Sequence, residues 1–312
     1  MAGNVVRAAV VGVGHLGRHH ARILSSLEGV ELTAVVDKIP ERAREIAGNC
    51  QTSALTDHRE VIGRVDAVVV AVPTEIHRDV ALAFLERGTS VLVEKPMAHS
   101  VEEADEMIAA AGASGATLAV GQTERYNPAF AAVSSLVTTP RFIEVHRLGA
   151  FSERSLDIDV VFDVMIHDLD IILALVRSEL VSVEAVGVPV LTPKFDIANA
   201  RLRFASGCIA NVTASRISRD RVRKIRFFQP DSYLSIDYAA QEVEGWRLVR
   251  RDGQRPSIEG GQIPVKQDEP LRRELLDFVA AVRERRAPVV DGPAGRRALA
   301  LATEIASRMQ SV

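Results

Sequence analysis

The feature that most constrains the fold of this 312-residue chain lies at its start, where an apolar run leads directly into three closely spaced glycines. The β-branched run Val5–Val11 ends immediately before Gly12, Gly14 and Gly17, which are spaced Gly-x-Gly-x-x-Gly. In a strand–turn–helix unit, the first glycine permits a tight turn, the second lets a pyrophosphate approach the backbone, and the third lets the helix pack on the strand. The free amides and the dipole of the helix start favour a phosphate anion. The pattern therefore predicts a dinucleotide site at this turn.

A carboxylate at the end of the next predicted strand bears on which dinucleotide binds. Asp37 follows the run Val30–Val36, about 20 residues after the glycines, which is the spacing expected for a group that binds the adenosine ribose diol. Asp37 would repel a 2′-phosphate, so we predict NAD rather than NADP. The neighbouring Lys38 would offset part of that repulsion, and capping of the following helix is an alternative role for Asp37.

The pattern of apolar runs predicts two domains. Up to residue 121, continuous apolar strands alternate with helical segments, which implies a parallel sheet covered on both faces. After residue 121, consecutive strand-like runs separated by tight turns indicate an antiparallel sheet. We predict an α/β chain with a doubly wound Rossmann domain at 1–121 and an α+β domain at 122–312. The second domain would hold a large, mostly antiparallel open sheet, and its C-terminal helix could pack back on the first domain.

Composition excludes several classes of partner. Lys and Arg total 38 against 41 Asp and Glu, and aromatic residues make up 4% of the chain, so neither a basic surface nor a base-stacking platform for nucleic acid is expected. No apolar run approaches the ~20 residues that span a bilayer, so no membrane partner is predicted. Two cysteines, Cys50 and Cys208, are too few for a disulfide framework or a structural zinc site, which favours the reducing cytoplasm.

Two short motifs supply residues suited to alcohol oxidation. Lys95 lies in Val93-Glu94-Lys95-Pro96 after a predicted strand, and His167 lies four residues after Asp163 on a predicted helix. Oxidation of an alcohol removes a proton while a hydride leaves the same carbon, and a histidine suits the role of base. We predict His167 as the base, Lys95 as the cation that stabilises alkoxide charge and relays the proton, and Asp163, on the same helix face, as the group that orients the imidazole.

A divalent metal site is the alternative use of that helix. Asp163, His167 and Asp170 would share one face, and carboxylates with imidazole do bind metals. The cation at Lys95 and the absence of a histidine-rich context disfavour this interpretation, so we predict no metal.

Together with Val72-Pro73-Thr74-Glu75-Ile76-His77, these motifs resemble the glucose-fructose oxidoreductase and inositol dehydrogenase family, often written Gfo/Idh/MocA, over essentially the whole chain. The resemblance implies an NAD-dependent sugar oxidoreductase in which Lys95 touches both the nicotinamide ribose and the reacting hydroxyl, and in which Pro96 follows a cis peptide bond. It implies that Asp163 and His167 belong to the catalytic face of the second domain. The implied cofactor contacts are Gly12, Gly14, His15, Leu16, Gly17, Asp37, Val72, Pro73, Thr74, His77, Glu94, Lys95, Pro96 and Gln122.

The expected substrate is inferred from two sequence segments. Glycines common in the family around the histidine are replaced here by Val160, Val161 and Met165, which argues against simple transfer of inositol or glucose as substrate. The segment around His167 and the segment Glu124–Phe130 resemble the branch that oxidises the 3-hydroxyl of UDP-N-acetylglucosamine to a ketone for amide-linked lipid A. A diphosphate requires cations. The expected substrate contacts are Arg125, Tyr126, Asn127, Arg154 and Arg216.

Several alternatives stay open. The basic run from Arg216 to Arg226 fits a solvated strand face as well as a phosphate site, and Phe151–Asp159 is a candidate substrate lid. The chain could instead be a dehydrogenase of inositol or another free sugar or polyol, or a non-catalytic NAD-binding regulator. The resemblance also implies that the open sheet face packs against another subunit, in a homodimer or homotetramer.

Overall fold

The computed structural model describes residues 5–151, 158–252 and 254–309. The chain divides into two compact units. The first unit contains Met1–Thr123 and Glu269–Leu299, and the second contains Glu124–Asp268 and Ala300–Val312. Among the described residues, no helix combines the length and apolarity that crossing a bilayer requires.

The strands lie as follows along the chain: β1 (Val6–Val11), β2 (Val30–Val36), β3 (Ser53–Leu55), β4 (Ala67–Val70), β5 (Ser90–Glu94), β6 (Leu118–Gly121), β7 (Phe142–Leu148), β8 (Leu180–Val188), β9 (Ile197–Phe204), β10 (Ile209–Ser215), β11 (Val222–Gln229), β12 (Ser232–Asp237), β13 (Glu242–Val249) and β14 (Ser257–Ile263). The α-helices are α1 (Gly17–Leu24), α2 (Pro40–Cys50), α3 (His77–Leu85), α4 (Val101–Ser114), α5 (Pro128–Val133), α6 (Ile166–Leu175), α7 (Pro270–Glu284) and α8 (Gly292–Met309).

The first unit is built on a parallel six-stranded sheet in the order β3-β2-β1-β4-β5-β6. Every residue of β4 and β5 is buried, as expected for strands covered on both faces. A core cluster that includes Leu24 of α1, Val35 of β2, Leu92 of β5 and Phe278 of α7 packs on one side of this sheet. The Rossmann prediction is confirmed. Because the strands are parallel, Gly12, Asp37 and Lys95 lie at the same carboxyl edge, where such sheets bind ligands.

The second unit is built on an eight-stranded sheet in the order β14-β13-β12-β11-β7-β10-β9-β8. Among the described pairs in this sheet, only β7 with β10 is parallel, and the others are antiparallel. Burial alternates along β7, where Ile143, Val145 and Arg147 are buried and their neighbours are partly exposed. The predicted large, mostly antiparallel open sheet is confirmed.

Candidate active site

Two of the three glycines in the turn after β1 are required by the fold itself. Gly12 has a φ of +85°, and a Cβ there would lie 2.5 Å from the carbonyl oxygen of Ala71. A Cβ on Gly17 would lie 1.7 Å from the carbonyl oxygen of Gly12. Neither position accepts a side chain, because each would press on backbone.

Gly14 differs, because the protein leaves space beside it. The nearest atom to a Cβ at Gly14 is a guanidinium nitrogen of Arg42, 3.8 Å away, which is ordinary van der Waals contact. Helix α1 begins three residues later with no side-chain cap and no acidic residue in its first turn, so its leading amides are available to an anion. The glycine at position 14 and the uncapped helix start therefore fit the pyrophosphate of a dinucleotide.

This contrast gives the first prediction. Gly14→Ala is expected to leave the melting temperature almost unchanged but to raise the Kd for NAD by about tenfold or more, because the methyl group would occupy the path of the pyrophosphate. Gly17→Ala is the matched comparison and is expected to lower the melting temperature, because its methyl group meets backbone. Calorimetric titration with NAD and thermal unfolding separate the two. Unchanged NAD affinity in folded Gly14→Ala would contradict the assignment.

Asp37 is buried at the end of β2, where it organises the glycine turn. Its Oδ2 accepts from the Val13 amide at 3.1 Å and its Oδ1 accepts from the Ile39 amide at 2.9 Å. Arg42 donates to Oδ2 at 3.3 Å. Helix α2 has Ile39 as its N-cap and no side-chain cap, so the capping alternative for Asp37 is wrong, and the bond of Asp37 to the ribose stays a prediction. The sequence reasoning missed Arg42, although its position in the first turns of α2, five residues after Asp37, was available as a signal.

His77 joins the loops that follow β4 and β5. Its Nδ1 lies 3.0 Å from the carbonyl oxygen of Pro96, and its Nε2 lies 2.8 Å from the carbonyl oxygen of Val72. The ring is buried, and that burial lowers the pKa of His77, while the two carbonyl acceptors oppose the shift. Both ring nitrogens lie within hydrogen-bond distance of backbone carbonyls, and the contact of His77 with the cofactor stays a prediction. His77 also shapes the loop around the Lys95–Pro96 peptide bond, which is cis as the resemblance implies.

Glu94 also faces into the protein. Its Oε1 lies 2.7 Å from Nε2 of His20, and its Oε2 accepts from the Lys95 amide at 3.2 Å. Both His20 and Glu94 are buried. These bonds hold the carboxylate behind the loop, and the contact of Glu94 with the cofactor stays a prediction.

The remaining predicted cofactor residues lie on the same unit. His15 and Leu16 are exposed at the start of α1, where Leu16 presents an apolar surface. Pro73 precedes and Thr74 begins a short 3₁₀ turn after β4. Gln122 is buried just after β6. Their contacts with NAD stay predictions.

The helix that carries the proposed base is not a continuous α-helix. Val161–Met165 forms a π-helical turn that contains Asp163, and α6 begins at Ile166, so that His167 lies in its first turn. The Ile166 amide donates to the carbonyl oxygen of Val161, which closes the wider turn. Asp163 and His167 therefore lie on either side of the junction between the π-turn and α6, and the orientation of the imidazole by Asp163 stays a prediction. π-turns within helices occur frequently at functional sites.

A buried ion-pair network fixes α6 to the sheet, and the sequence reasoning missed it. Arg147 of β7 donates to both oxygens of Asp168, from Nε at 2.5 Å and from Nη2 at 3.0 Å, and Nη1 donates to Glu124 at 2.8 Å. Its guanidinium lies over the ring of Tyr238 at 5.5 Å. Although burial acts against the charge of Arg147, the two carboxylates raise its pKa. Asp168 adjoins His167, so the network holds the helical turn that presents the imidazole.

The predicted substrate-binding residues lie in different surroundings. Arg125 lies 3.4 Å from both oxygens of Asp170 and 5.6 Å from the centroid of the Phe130 ring, and Tyr126 is buried. Their substrate contacts stay predictions. Arg154 lies outside the described residues.

Asn127 and Arg216 are buried and hydrogen-bonded within the second unit, and their substrate contacts also stay predictions. Asn127 is buried and caps α5: its Oδ1 accepts from the Ala129 amide, and its Nδ2 donates to Glu124 and to the carbonyl oxygen of Tyr238. Arg216 is buried and donates to Asp196, to Thr192 and to the carbonyl oxygen of Ile158. These bonds commit both side chains to the interior of the second unit.

The alternative metal site finds no geometric support in the part of the chain that the structure describes. Within those residues, no group of three or more His, Cys, Asp or Glu side chains could hold a metal ion.

Comparison with known proteins matches both halves of the chain to one family. The model described as the oxidoreductase family, NAD-binding Rossmann fold, matches residues 6–122, and the GFO/IDH/MocA C-terminal domain matches residues 133–229. The UDP-N-acetylglucosamine 3-dehydrogenase of Acidithiobacillus ferrooxidans is 38% identical over 304 residues, covering 96% of each chain. An inositol 2-dehydrogenase of Rhizobium meliloti is 28% identical over 315 residues, covering 95% of this chain and 94% of its own.

Solved structures give the same result. A structure of the Acidithiobacillus ferrooxidans enzyme matches with a TM-score of 0.92 at 36% identity, covering 98% of both chains. A levoglucosan dehydrogenase in complex with NADH and levoglucosan matches with a TM-score of 0.87 at 18% identity, a likeness that shows the fold alone. The chain described here belongs to the Gfo/Idh/MocA family of NAD-binding oxidoreductases.

Proposed function

We propose that this protein oxidises the 3-hydroxyl of UDP-N-acetylglucosamine to a ketone with NAD. The observation that carries the proposal is the 38% identity over 96% of the chain to an enzyme of that activity, which exceeds the 28% identity to an inositol 2-dehydrogenase over a similar length. The valines and methionine at positions 160, 161 and 165 also depart from the glycine pattern of the inositol and glucose enzymes. A product carrying a 3-keto group suits a following transamination, in line with the lipid A role predicted from the sequence.

Two side chains carry out the proposed oxidation of the hydroxyl. His167 takes the proton of the substrate hydroxyl, and the Lys95 ammonium stabilises the negative charge that develops on the same oxygen. NAD, held at the glycine turn of Gly12, Gly14 and Gly17, would supply the acceptor for the hydride that leaves the carbon. Asp163, in the π-turn before His167, orients the imidazole. The Arg147 network holds Asp168, and with it the first turn of α6, against the sheet.

Substrate anchoring falls to cations near the catalytic helix. Arg125 is partly buried and lies 3.4 Å from both oxygens of the buried Asp170, and we assign its guanidinium to the substrate diphosphate because its paired donors suit phosphate oxygens. Arg154 is the second proposed anchor.

The open face of the second unit is proposed to pack against another copy of the chain. Phe142, Phe228, Tyr233 and Trp246 are register partners across β7, β11, β12 and β13, and they form one aromatic row on that face. A contiguous apolar patch of this kind is typical of an interface. The choice between a homodimer and a homotetramer, and the location in the cytoplasm, stay predictions.

The experiment that tests the proposed function is a substrate panel. Purified protein with NAD is offered UDP-N-acetylglucosamine, UDP-glucose, N-acetylglucosamine and myo-inositol, and NADH formation is followed by absorbance. We expect turnover with UDP-N-acetylglucosamine to exceed that with the other three. Preference for inositol would support the polyol alternative, and tight NAD binding without turnover of any compound would support the regulatory alternative.

A further inference from the structure

A buried ion pair joins two neighbouring strands of the second unit, where β9 begins and β10 ends. Asp196 immediately precedes β9 and Arg216 immediately follows β10. Nε of Arg216 donates to Oδ1 of Asp196 at 2.9 Å, and the two residues are 6% and 0% exposed. Apolar side chains of similar size often serve stability as well as a buried ion pair does. The pair therefore suits a role in fixing one particular arrangement of the chain.

Asp196 organises the loop 189–196, which leads into β9. Its Oδ2 accepts from three successive amides, those of Val190 at 2.9 Å, Leu191 at 2.6 Å and Thr192 at 2.9 Å. Its Oδ1 accepts from the Thr192 hydroxyl at 2.8 Å. Burial acts to raise the pKa of Asp196, but the hydrogen bonds from the amides and the hydroxyl hold that pKa well below its ordinary value. The ionised carboxylate thus holds the loop in one conformation.

This loop is tied in turn to the residues that precede the π-turn. The Phe195 amide donates to Oδ1 of Asp159 at 3.0 Å, and the Val160 amide donates to the carbonyl oxygen of Phe195 at 3.0 Å. Arg216 reaches the same segment directly, because its Nη1 donates to the carbonyl oxygen of Ile158 at 2.7 Å. Two routes therefore connect the ion pair to three successive residues of the chain.

Further backbone bonds lead from this segment into the π-turn itself. The carbonyl oxygen of Asp159 accepts from the amide of Phe162 at 3.1 Å and from the amide of Asp163 at 3.2 Å. The π-turn Val161–Met165 begins two residues after Asp159, and α6 follows it directly. The Arg147 network holds α6 on the other side of the turn. Buried ion pairs thus fix the chain both before and after the turn.

We propose that Arg216 and Asp196 are positioning residues for the base: they fix the start of the π-turn, so that α6 presents His167 in the geometry that proton transfer requires. This inference rests on the role of His167 given under the proposed function. Catalytic groups must lie within about 0.5 Å of their productive positions, and a misplacement of about 1 Å can cost 10²-fold in rate. Because Arg216 acts here through the interior of the second unit, its loss should change kcat and not substrate affinity.

The split between kcat and KM tests this assignment. Arg216→Met removes the guanidinium and is expected to lower kcat by about 10²-fold. The KM for UDP-N-acetylglucosamine should stay within about twofold, because a displaced base weakens the transition state and not the bound substrate. Arg201→Met is the matched control, because it removes a guanidinium from β9 that donates to Asn211 at 3.1 Å, and it should keep both constants near the wild-type values. Steady-state NADH formation, measured well below the melting temperature of each variant, gives the constants.

Hydrogen–deuterium exchange followed by mass spectrometry tests the same link without substrate. In Arg216→Met the amides of residues 158–165 should exchange about tenfold faster or more, because the bonds that hold this segment open locally. Peptides from β11 and β12 should exchange as in the wild type. Arg201→Met should leave the exchange of residues 158–165 unchanged. A contribution to stability alone would instead speed exchange throughout the second unit.

Several results would overturn the proposal. A raised KM with unchanged kcat in Arg216→Met would assign Arg216 to the substrate. Exchange of residues 158–165 that stays at the wild-type rate, or that rises evenly with the rest of the second unit, would show that the ion pair does not hold the turn.

A milder variant and the exchange data keep the test decisive. If Arg216→Met does not fold, Arg216→Lys takes its place and should change kcat and exchange in the same direction. It keeps a positive charge beside Asp196, but an ammonium cannot reproduce the guanidinium fork that also reaches Ile158 and Thr192. If the wild type oxidises no sugar, the proposed function fails, while the exchange rates still decide whether the ion pair holds the turn.

Discussion

Replacing His167 with alanine is expected to lower kcat by about 10²–10⁴-fold, the usual contribution of a positioned general base. The affinity for NAD should change little, because His167 belongs to α6 of the second unit and the glycine turn belongs to the first. Steady-state NADH formation and calorimetric titration with NAD measure the two effects separately. The loss should be partly recovered at high pH, where a larger fraction of substrate hydroxyl ionises without the base.

The matched control is His58→Ala, which replaces a histidine that lies in a 3₁₀ turn of the first unit. Its side chain contacts Phe84 and lies among none of the residues proposed for chemistry, so kcat should stay near the wild-type value. Near-normal turnover of His167→Ala would contradict the assignment of His167 as the base and would make Lys95 the candidate base.

Replacing Arg147 with methionine is expected to reduce the free energy of unfolding by about 3–5 kcal/mol, the usual cost of removing one partner of a buried ion pair. The side chain of Asp168 is 1% exposed and that of Arg147 is 7% exposed, so water cannot replace the lost donors. Glu124 loses its donor from Arg147 at the same time. Urea unfolding followed by the fluorescence of Trp246 measures this change, because the one tryptophan of the chain lies on β13 of the second unit.

Arg250→Met is the control for Arg147→Met. The Arg250–Asp231 pair is similar in distance, at 2.7 Å, but its side chains are 61% and 51% exposed. Exposed pairs contribute about 0–1 kcal/mol, so this variant should unfold close to the wild type. The double variant Arg147→Met/Asp168→Leu should regain part of the lost stability, because no partnerless carboxylate remains at position 168. Equal stability of the two single variants would show that the buried network does not hold α6.

The sequence predicts best those strands in which apolar and β-branched residues follow a regular pattern. The predicted strand Val30–Val36 matches β2 at both ends, because its β-branched and apolar residues favour a buried strand. Strand β14 lacks such a pattern, because Gly260 and Gly261 lower its strand propensity. In the structure, Gly260 lies opposite Trp246, where a Cβ would be 2.0 Å from the carbonyl oxygen of Gly245, so packing and not propensity requires that glycine.

Site residues that belong to short sequence motifs could be predicted from the sequence. Site residues that are positioned by contacts between distant parts of the chain could not. The glycine turn and Asp37 follow from short-range sequence, and the cis bond before Pro96 follows from the family resemblance. The π-turn around Asp163 does not, because a helical pattern of apolar residues does not report an extra residue in one turn. The pairing of Arg147 with Asp168 joins residues 21 apart, and an arginine at a buried strand position was the one available signal.

The carbon that loses hydride is the most direct test of the central claim. UDP-N-acetylglucosamine carrying deuterium only at carbon 3 is incubated with the protein and NAD, and the NADH formed is isolated for mass spectrometry. If the 3-hydroxyl is oxidised, the deuterium transfers to the reduced nicotinamide and the sugar becomes a 3-ketone without label. Unlabelled NADH together with an oxidised sugar that keeps its deuterium would contradict oxidation at that position.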